Sequence, residues 1–109
     1  MAENSYSLRY LPLFYKDLEE VVTYIAEVLH NSKAANDLLD EIEIAIKKRR
    51  PFAESFEKYH SVKERQYPYY RIYVRNFVIF YVVIDDDPQQ KVMEVRRLLY
   101  NMRDKDKII

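Results

Sequence analysis

The chain contains no glycine and no cysteine, and these two absences remove several classes of function. Without glycine it cannot form a glycine-rich phosphate loop or a dinucleotide-binding fingerprint, so nucleotide hydrolysis and NAD chemistry are disfavoured. Without cysteine it has neither disulfide bonds nor a thiolate metal site. Residues 1–12 lack the apolar core of a signal peptide, and no segment approaches the ~18 apolar residues of a membrane span. We therefore expect a cytoplasmic protein that does not enter the membrane. Because glycine is absent, we also expect its turns to use Asn, Asp, Pro or Ser.

What is present fits one globular domain covering residues 1–109, with 49% hydrophobic and 33% charged residues. The net charge is zero, but residues 1–46 carry nine acidic and three basic side chains, whereas residues 47–109 carry fifteen basic and nine acidic ones. This asymmetry indicates an anionic or acidic partner for the second half, although solvated acidic helix faces would produce it equally well.

Hydrophobic spacing predicts two consecutive helices after a short first strand at residues 6–11. Pro12 suits the first turn of a helix whose apolar face extends to Val28 and Leu29. Ser32 is placed to cap a second helix, which Pro51 terminates. The very short link between the two helices predicts an antiparallel helical hairpin.

Three strands are predicted in the second half, at residues 68–75, 77–84 and 91–100. The segment FVIFYVVI, 77–84, is apolar at odd and even positions, as in a central strand covered on both faces. The order β-α-α-β-β-β predicts an α+β fold in which the helical hairpin packs on one face of an antiparallel sheet. Two helices cannot also bury the other face, so we expect an exposed apolar strip there that binds a partner or a second copy.

Basic residues interleaved with tyrosines form the main candidate site. Arg71 and Arg75 are predicted to share a strand face with Tyr69 and Tyr73, a combination that suits phosphate contacts and base stacking. A solvated sheet face with arginines lying over apolar neighbours is the alternative. The wider basic set is Lys63, Arg65, Arg71, Arg75, Arg96, Arg97 and Arg103.

Other candidates carry weaker signals. Tyr100 follows Arg97 by three residues and could transfer a proton, although one more surface tyrosine is the simpler interpretation. His60 could act as a general base, but neither His30 nor His60 has another His or Cys at metal-ligand spacing. Asp85–Asp87 are more typical of a turn than of a divalent-cation site. We expect no metal and no cofactor.

Four segments together resemble the RelE/ParE superfamily, the toxins of bacterial type II toxin–antitoxin pairs. YLPLFYKDLEEVVTYIAEVL is similar to the opening strand and helix of that family. SKAANDLLDEIEIAIKKRRPF is similar to its second helix, including the Ala-Ala pair and the closing proline. VRNFVIFYVVIDDD resembles its hairpin, and VMEVRRLLYNMRD resembles its last strand, with Arg97 and Arg103-Asp104 where the family often has Arg and Arg-Asp.

The resemblance implies a RelE/ParE-like fold and a toxin held inactive in a hetero-oligomer with its cognate antitoxin. RelE-like members cut mRNA on the ribosome without metal, which would make this chain an mRNA interferase with Arg71, Arg97 and Tyr100 as catalytic residues. The basic side chains that would bind the RNA are Lys63, Arg65, Arg75, Arg96 and Arg103. Val78, however, stands where RelE itself has a catalytic arginine. ParE-like members instead inhibit DNA gyrase without catalysis. Two alternatives therefore stay open for this chain, a gyrase inhibitor and a weakened toxin.

Overall fold

The computed structural model describes residues 6–59 and 66–101. Its strands are β1 (Ser7–Tyr10), β2 (Lys58–Tyr59), β3 (Tyr69–Val74), β4 (Phe77–Ile84) and β5 (Val92–Tyr100). Its helices are α1 (Pro12–Thr23), a π-helical turn (Tyr24–Val28), α2 (Ser32–Arg49) and a 3₁₀ turn (Arg50–Phe52). The predicted order is confirmed, with the two-residue β2 in addition. No helix within these residues is both long and apolar enough to cross a membrane.

The sheet is mixed, with strand order β1-β5-β4-β3-β2. β1 runs parallel to β5, while all other neighbours are antiparallel. The prediction of a wholly antiparallel sheet was therefore wrong in this one pair. β1 covers the outer edge of β5 and so shields the buried centre of that strand. Its direction could not be predicted, because a strand of four residues carries too little hydrophobic pattern to indicate it.

The helical layer packs on one face of the sheet, where the larger core lies. Phe14, Leu38, Ile42 and Ile46 from the helices meet alternate residues of the strands. The predicted apolar face of the first helix ends earlier than expected, because Val28 and Leu29 are 60% and 54% exposed. The π-helical turn explains this, since an additional residue per turn rotates the following side chains away from the core.

Left-handed backbone occurs at His30 and Arg75, with φ angles of 53° and 52°. His30 ends the first helical segment, and Arg75 begins the turn between β3 and β4. Because the chain has no glycine, these residues take conformations that glycine adopts more easily. Both turns contain an asparagine, Asn31 or Asn76, as expected, but the left-handed residue in each is its neighbour, His30 or Arg75. Asn31 caps α2, its side-chain oxygen accepting a hydrogen bond from the Ala34 N–H at 3.0 Å, so the prediction of Ser32 was wrong.

The face of the sheet opposite the helices carries a second, smaller core. Val78, Phe80 and Val82 of β4 are 0% exposed and pack with Tyr69 and Leu99. Partly buried Tyr59, Tyr67 and Ile84 pack against the same cluster. The predicted exposed apolar strip is therefore wrong, because large tyrosine side chains at one end of the sheet bury the apolar residues of β4.

Candidate functional site on the cationic face

The face opposite the helices brings several arginines together. Arg71 of β3 and Arg97 of β5 both pair in register with Phe80 of β4, so all three lie in one cross-strand row. Arg9 of β1 pairs with Glu94 in the neighbouring row. We call this surface the cationic face and define it by Arg9, Arg71, Arg96 and Arg97 with the tyrosines Tyr59, Tyr69 and Tyr73.

A bulge in β5 adds Arg96 to this face. The register between β4 and β5 shifts at Phe80/Tyr81, where Phe80 pairs with Arg97 and Tyr81 with Val95. Arg96 is thus the additional residue, and its guanidinium lies 6.0 Å from the centroid of the Tyr69 ring. Two consecutive arginines consequently reach the same surface, which strict alternation along a strand would forbid.

Glu94 holds two of the four arginines. Its carboxylate accepts hydrogen bonds from Arg96 Nε and Arg9 Nε, each at 2.8 Å, and its side chain is almost fully buried. Burial pushes the pKa of Glu94 up, but the hydrogen bonds from Arg96 and Arg9 outweigh burial and hold that pKa below its usual value. The carboxylate therefore stays ionised and neutralises part of the cationic face.

Asp17 holds Arg97 from the helical layer. Arg97 donates two hydrogen bonds to the Asp17 carboxylate, at 2.8 Å from Nε and 3.0 Å from the second nitrogen. The Leu98 N–H also donates to Asp17, at 3.0 Å. β1 pairs with β5 only as far as Val95, so the Asp17 carboxylate satisfies an edge N–H that β1 does not reach. The same hydrogen bonds raise the pKa of Arg97.

Arg71 is less firmly held. Its guanidinium lies 5.0 Å from the Tyr59 ring centroid and donates a hydrogen bond to the Tyr73 hydroxyl at 3.3 Å. Its carboxylate partner is Glu57, 3.6 Å away and 81% exposed at its side chain. A pair at this distance to an exposed carboxylate is weak, so Arg71, whose own side chain is 24% exposed, is the arginine of the cationic face best placed to exchange its partner for an external anion.

Two of the predicted site residues lie elsewhere. Arg75 pairs with Glu41 on α2, because β3 ends at Val74 and the left-handed turn breaks the alternation, so its predicted place beside Arg71 was wrong. Tyr100 pairs with Phe77, a residue of the helix-side core, and lines a groove there with Tyr24 and other helical residues. Tyr100 and Arg71 thus lie on opposite sides of the sheet. Arg97 leaves β5 on the same side as Arg71, but its guanidinium contacts Asp17 of α1.

The remaining predicted residues, Lys63, Arg65 and Arg103, lie outside the described residues, as does His60. Within residues 6–59 and 66–101 no group of three or more His, Cys, Asp or Glu side chains could hold a metal ion.

The sequence reasoning missed three residues that organise the site, namely Asp17, Glu94 and Arg9. A signal for Asp17 was present, because Phe14, Asp17, Leu18 and Val21 follow the 3–4 spacing of one buried helix face. A carboxylate in that pattern needs a buried partner. Glu94 and Arg9 gave no such signal, since their pairing depends on β1 running beside β5.

Chemically, the cationic face offers guanidinium groups and aromatic rings that could bind a phosphate or a carboxylate.

A family model described as the ParE toxin of the type II toxin–antitoxin system parDE matches residues 8–105. The chain belongs to the ParE toxin family. As a type II toxin it has a cognate antitoxin as its partner. No curated protein matches the chain. In this ParE-family toxin, most arginines of the cationic face are neutralised from within the fold.

Proposed function

We propose that this ParE-family toxin acts by binding its target without cleaving RNA, and that the target is DNA gyrase. The observation that carries the proposal is the separation of Tyr100 from Arg71, which lie on opposite faces of the sheet. General acid–base catalysis of RNA cleavage needs the proton-transferring group within hydrogen-bond reach of the attacking hydroxyl or the leaving oxygen, next to the phosphate that the arginines hold. A binding surface has no such requirement.

The ion pairs of the arginines support the same proposal. Catalysis at a phosphate requires positive charge aimed at the transition state, in a site prepared for that charge. Asp17 already occupies the guanidinium of Arg97 with two hydrogen bonds, and Glu94 occupies Arg96. A protein surface can use such paired arginines through their apolar stems and planar faces without breaking the pairs.

Ribosome-dependent mRNA cleavage is the second candidate. It is favoured by the row of Arg71, Phe80 and Arg97, which sets two guanidinium groups on one face close to Tyr59 and Tyr73. Aromatic rings beside arginines suit stacked bases and backbone phosphates. Under this candidate, a group other than Tyr100 would have to move the proton.

Induced expression with two parallel readouts tests the proposal. RNA sequencing of 5′ ends reports cleavage of messages, and a reporter of DNA damage reports gyrase poisoning. We expect DNA damage while messages stay whole, and we expect Tyr100→Phe to be as toxic as the unaltered chain. New 5′ ends in translated messages, without DNA damage, would reject gyrase binding in favour of the second candidate.

A further inference from the structure

A pocket of about 300 Å³ lies between α1 and α2, on the opposite side of the molecule from the cationic face. Its size is at the lower end of the roughly 300–1,000 Å³ typical of ligand sites. Phe14, Ile42 and Ile46, all buried core residues, form its apolar floor. The pocket is therefore a recess in the helical layer that reaches down to the core.

Aromatic rings form one wall of this pocket. Tyr10, Phe14 and Tyr15 lie in mutual contact, with ring centroids 5.5 Å apart for Tyr10–Phe14 and Tyr10–Tyr15 and 5.9 Å for Phe14–Tyr15. Tyr15 is 54% exposed, so a bound group can reach its ring. The electron-rich faces of such rings attract cations.

Two carboxylates, Asp40 and Glu43, stand at the rim of the same pocket. Glu43 forms an exposed ion pair with Lys47, one helical turn further along α2, at 2.9 Å. Asp40 makes no hydrogen bond or ion pair with any residue in the described part of the chain. The rim thus presents negative charge that is only partly compensated, in the half of the chain with the excess of acidic residues.

We propose that this pocket binds a basic side chain, arginine or lysine, of a segment of a partner protein. Arginine and lysine combine an apolar stem with a cationic head, which matches an apolar floor below a rim of rings and carboxylates. The stem would pack over Phe14 and Ile42 while the head meets Tyr15, Asp40 and Glu43. The inference does not depend on the proposal of gyrase as target, because it concerns the helical layer and a different chemistry.

Matched probes test the assignment on the full-length toxin. N-acetyl-arginine methylamide carries the cation, and the citrulline analogue has nearly the same shape without the charge. NMR titration would follow the ring signals of Tyr10 and Tyr15 and the amide signals of Asp40 and Glu43. We expect the arginine probe to bind about five-fold more tightly than the citrulline probe, as a cation–π contact with an adjacent carboxylate would give.

Paired double variants separate the pocket from general attraction of cations. Asp40→Asn with Glu43→Gln should reduce the five-fold preference to about two-fold, because the rim carboxylates are gone and only the cation–π contact with the rings remains. Glu19→Gln with Glu27→Gln changes the net charge equally at exposed positions that do not line the pocket, and should leave the preference intact. Far-UV circular dichroism confirms that each variant is folded.

Three results would overturn the assignment. Equal binding of the two probes would show that charge is irrelevant to this pocket. Tighter binding of putrescine than of the arginine probe would make a free small cation its ligand. Broadened signals of Tyr10 and Tyr15 in the free protein that sharpen on dilution would make a second copy of this chain the occupant.

Discussion

Two carboxylates hold three of the four arginines on the cationic face, Asp17 pairing with Arg97 and Glu94 with Arg9 and Arg96. At the scale of single residues, these pairs decide which guanidinium groups can meet an external partner. Among the residues that the structure describes, the carboxylate paired with Arg71 is the exposed Glu57, at 3.6 Å. In the sequence the four arginines look equally able to bind an external partner. They are not, because the carboxylates that hold Arg9, Arg96 and Arg97 are buried, whereas the partner of Arg71 is exposed.

The Asp17 carboxylate should be a major contributor to stability. Asp17→Ala removes two hydrogen bonds to Arg97 and leaves the Leu98 N–H without its acceptor. Removing one partner of a buried pair typically costs 3–5 kcal/mol, so we expect the free energy of unfolding in urea to fall by about 3 kcal/mol. Glu19→Ala, an exposed change on the same helix, should lower it by less than about 0.5 kcal/mol. Equal small losses in both variants would contradict the structural role of Asp17.

Tyr6 should make stability depend on alkaline pH. Burial, followed by the hydrogen bond that its hydroxyl donates to Glu54, raises the pKa of Tyr6 to about 12. Its ordinary value is 10.0, so the unfolded chain loses this proton first as the pH rises. The contribution is therefore complete below pH 10 and declines as the pH increases toward about 12.

Urea unfolding measured at several pH values from 9 upward checks this prediction. The difference in unfolding free energy between the unaltered chain and Tyr6→Phe should shrink as the pH rises, because the variant lacks the titrating group. Tyr24→Phe, at an exposed tyrosine, is the matched control. A difference that stays constant over this pH range would contradict the assignment to Tyr6.

At the scale of elements, absence of glycine leaves strain at the end of the first helical segment. His30 has a left-handed φ of 53°, a conformation that costs about 1–2 kcal/mol for residues with a Cβ atom. Glycine relieves this cost but loses about 0.5–1 kcal/mol in backbone entropy. We therefore expect His30→Gly to raise the free energy of unfolding by about 0.5–1 kcal/mol.

His30→Ala is the control for this change, because it removes the imidazole and keeps the Cβ atom. It should give no gain in chemical denaturation. A gain of similar size in both variants would mean that the side chain, and not the backbone conformation, limits stability at this position.

The hydrophobic pattern of the sequence predicted most of the helices and strands, because its periodicity depends only on residues that are close together in the chain. The alternation of Tyr70, Ile72 and Val74 and the doubly apolar β4 were enough to define the two central strands and their faces. The π-helical turn, the left-handed Arg75 and the bulge at Arg96 could not be predicted, because each breaks the period without glycine or proline to signal it. The left-handed turn decides where Arg75 lies and the bulge decides where Arg96 lies, while the π-helical turn exposes Val28 and Leu29.

At the scale of the whole molecule, the two layers differ in charge and in what they can bind. The sheet presents arginines and tyrosines on its outer face, while the helical layer presents a pocket rimmed by Asp40 and Glu43. The family and the order of elements followed from the sequence, since they depend on the whole chain. The placement of Tyr100 and Arg71 on opposite faces of the sheet could not be predicted from the sequence, because it depends on how the strands pair in register.

A supercoiling assay with purified DNA gyrase tests the central claim, that this toxin binds gyrase, most directly. The toxin should block supercoiling of relaxed plasmid, and Arg71→Gln should raise the half-inhibitory concentration at least about ten-fold, equivalent to about 1.4 kcal/mol of binding energy. Arg75→Gln makes the same charge change beside Glu41, away from the cationic face, and should shift it by less than about two-fold. Undisturbed supercoiling at saturating toxin would contradict the account.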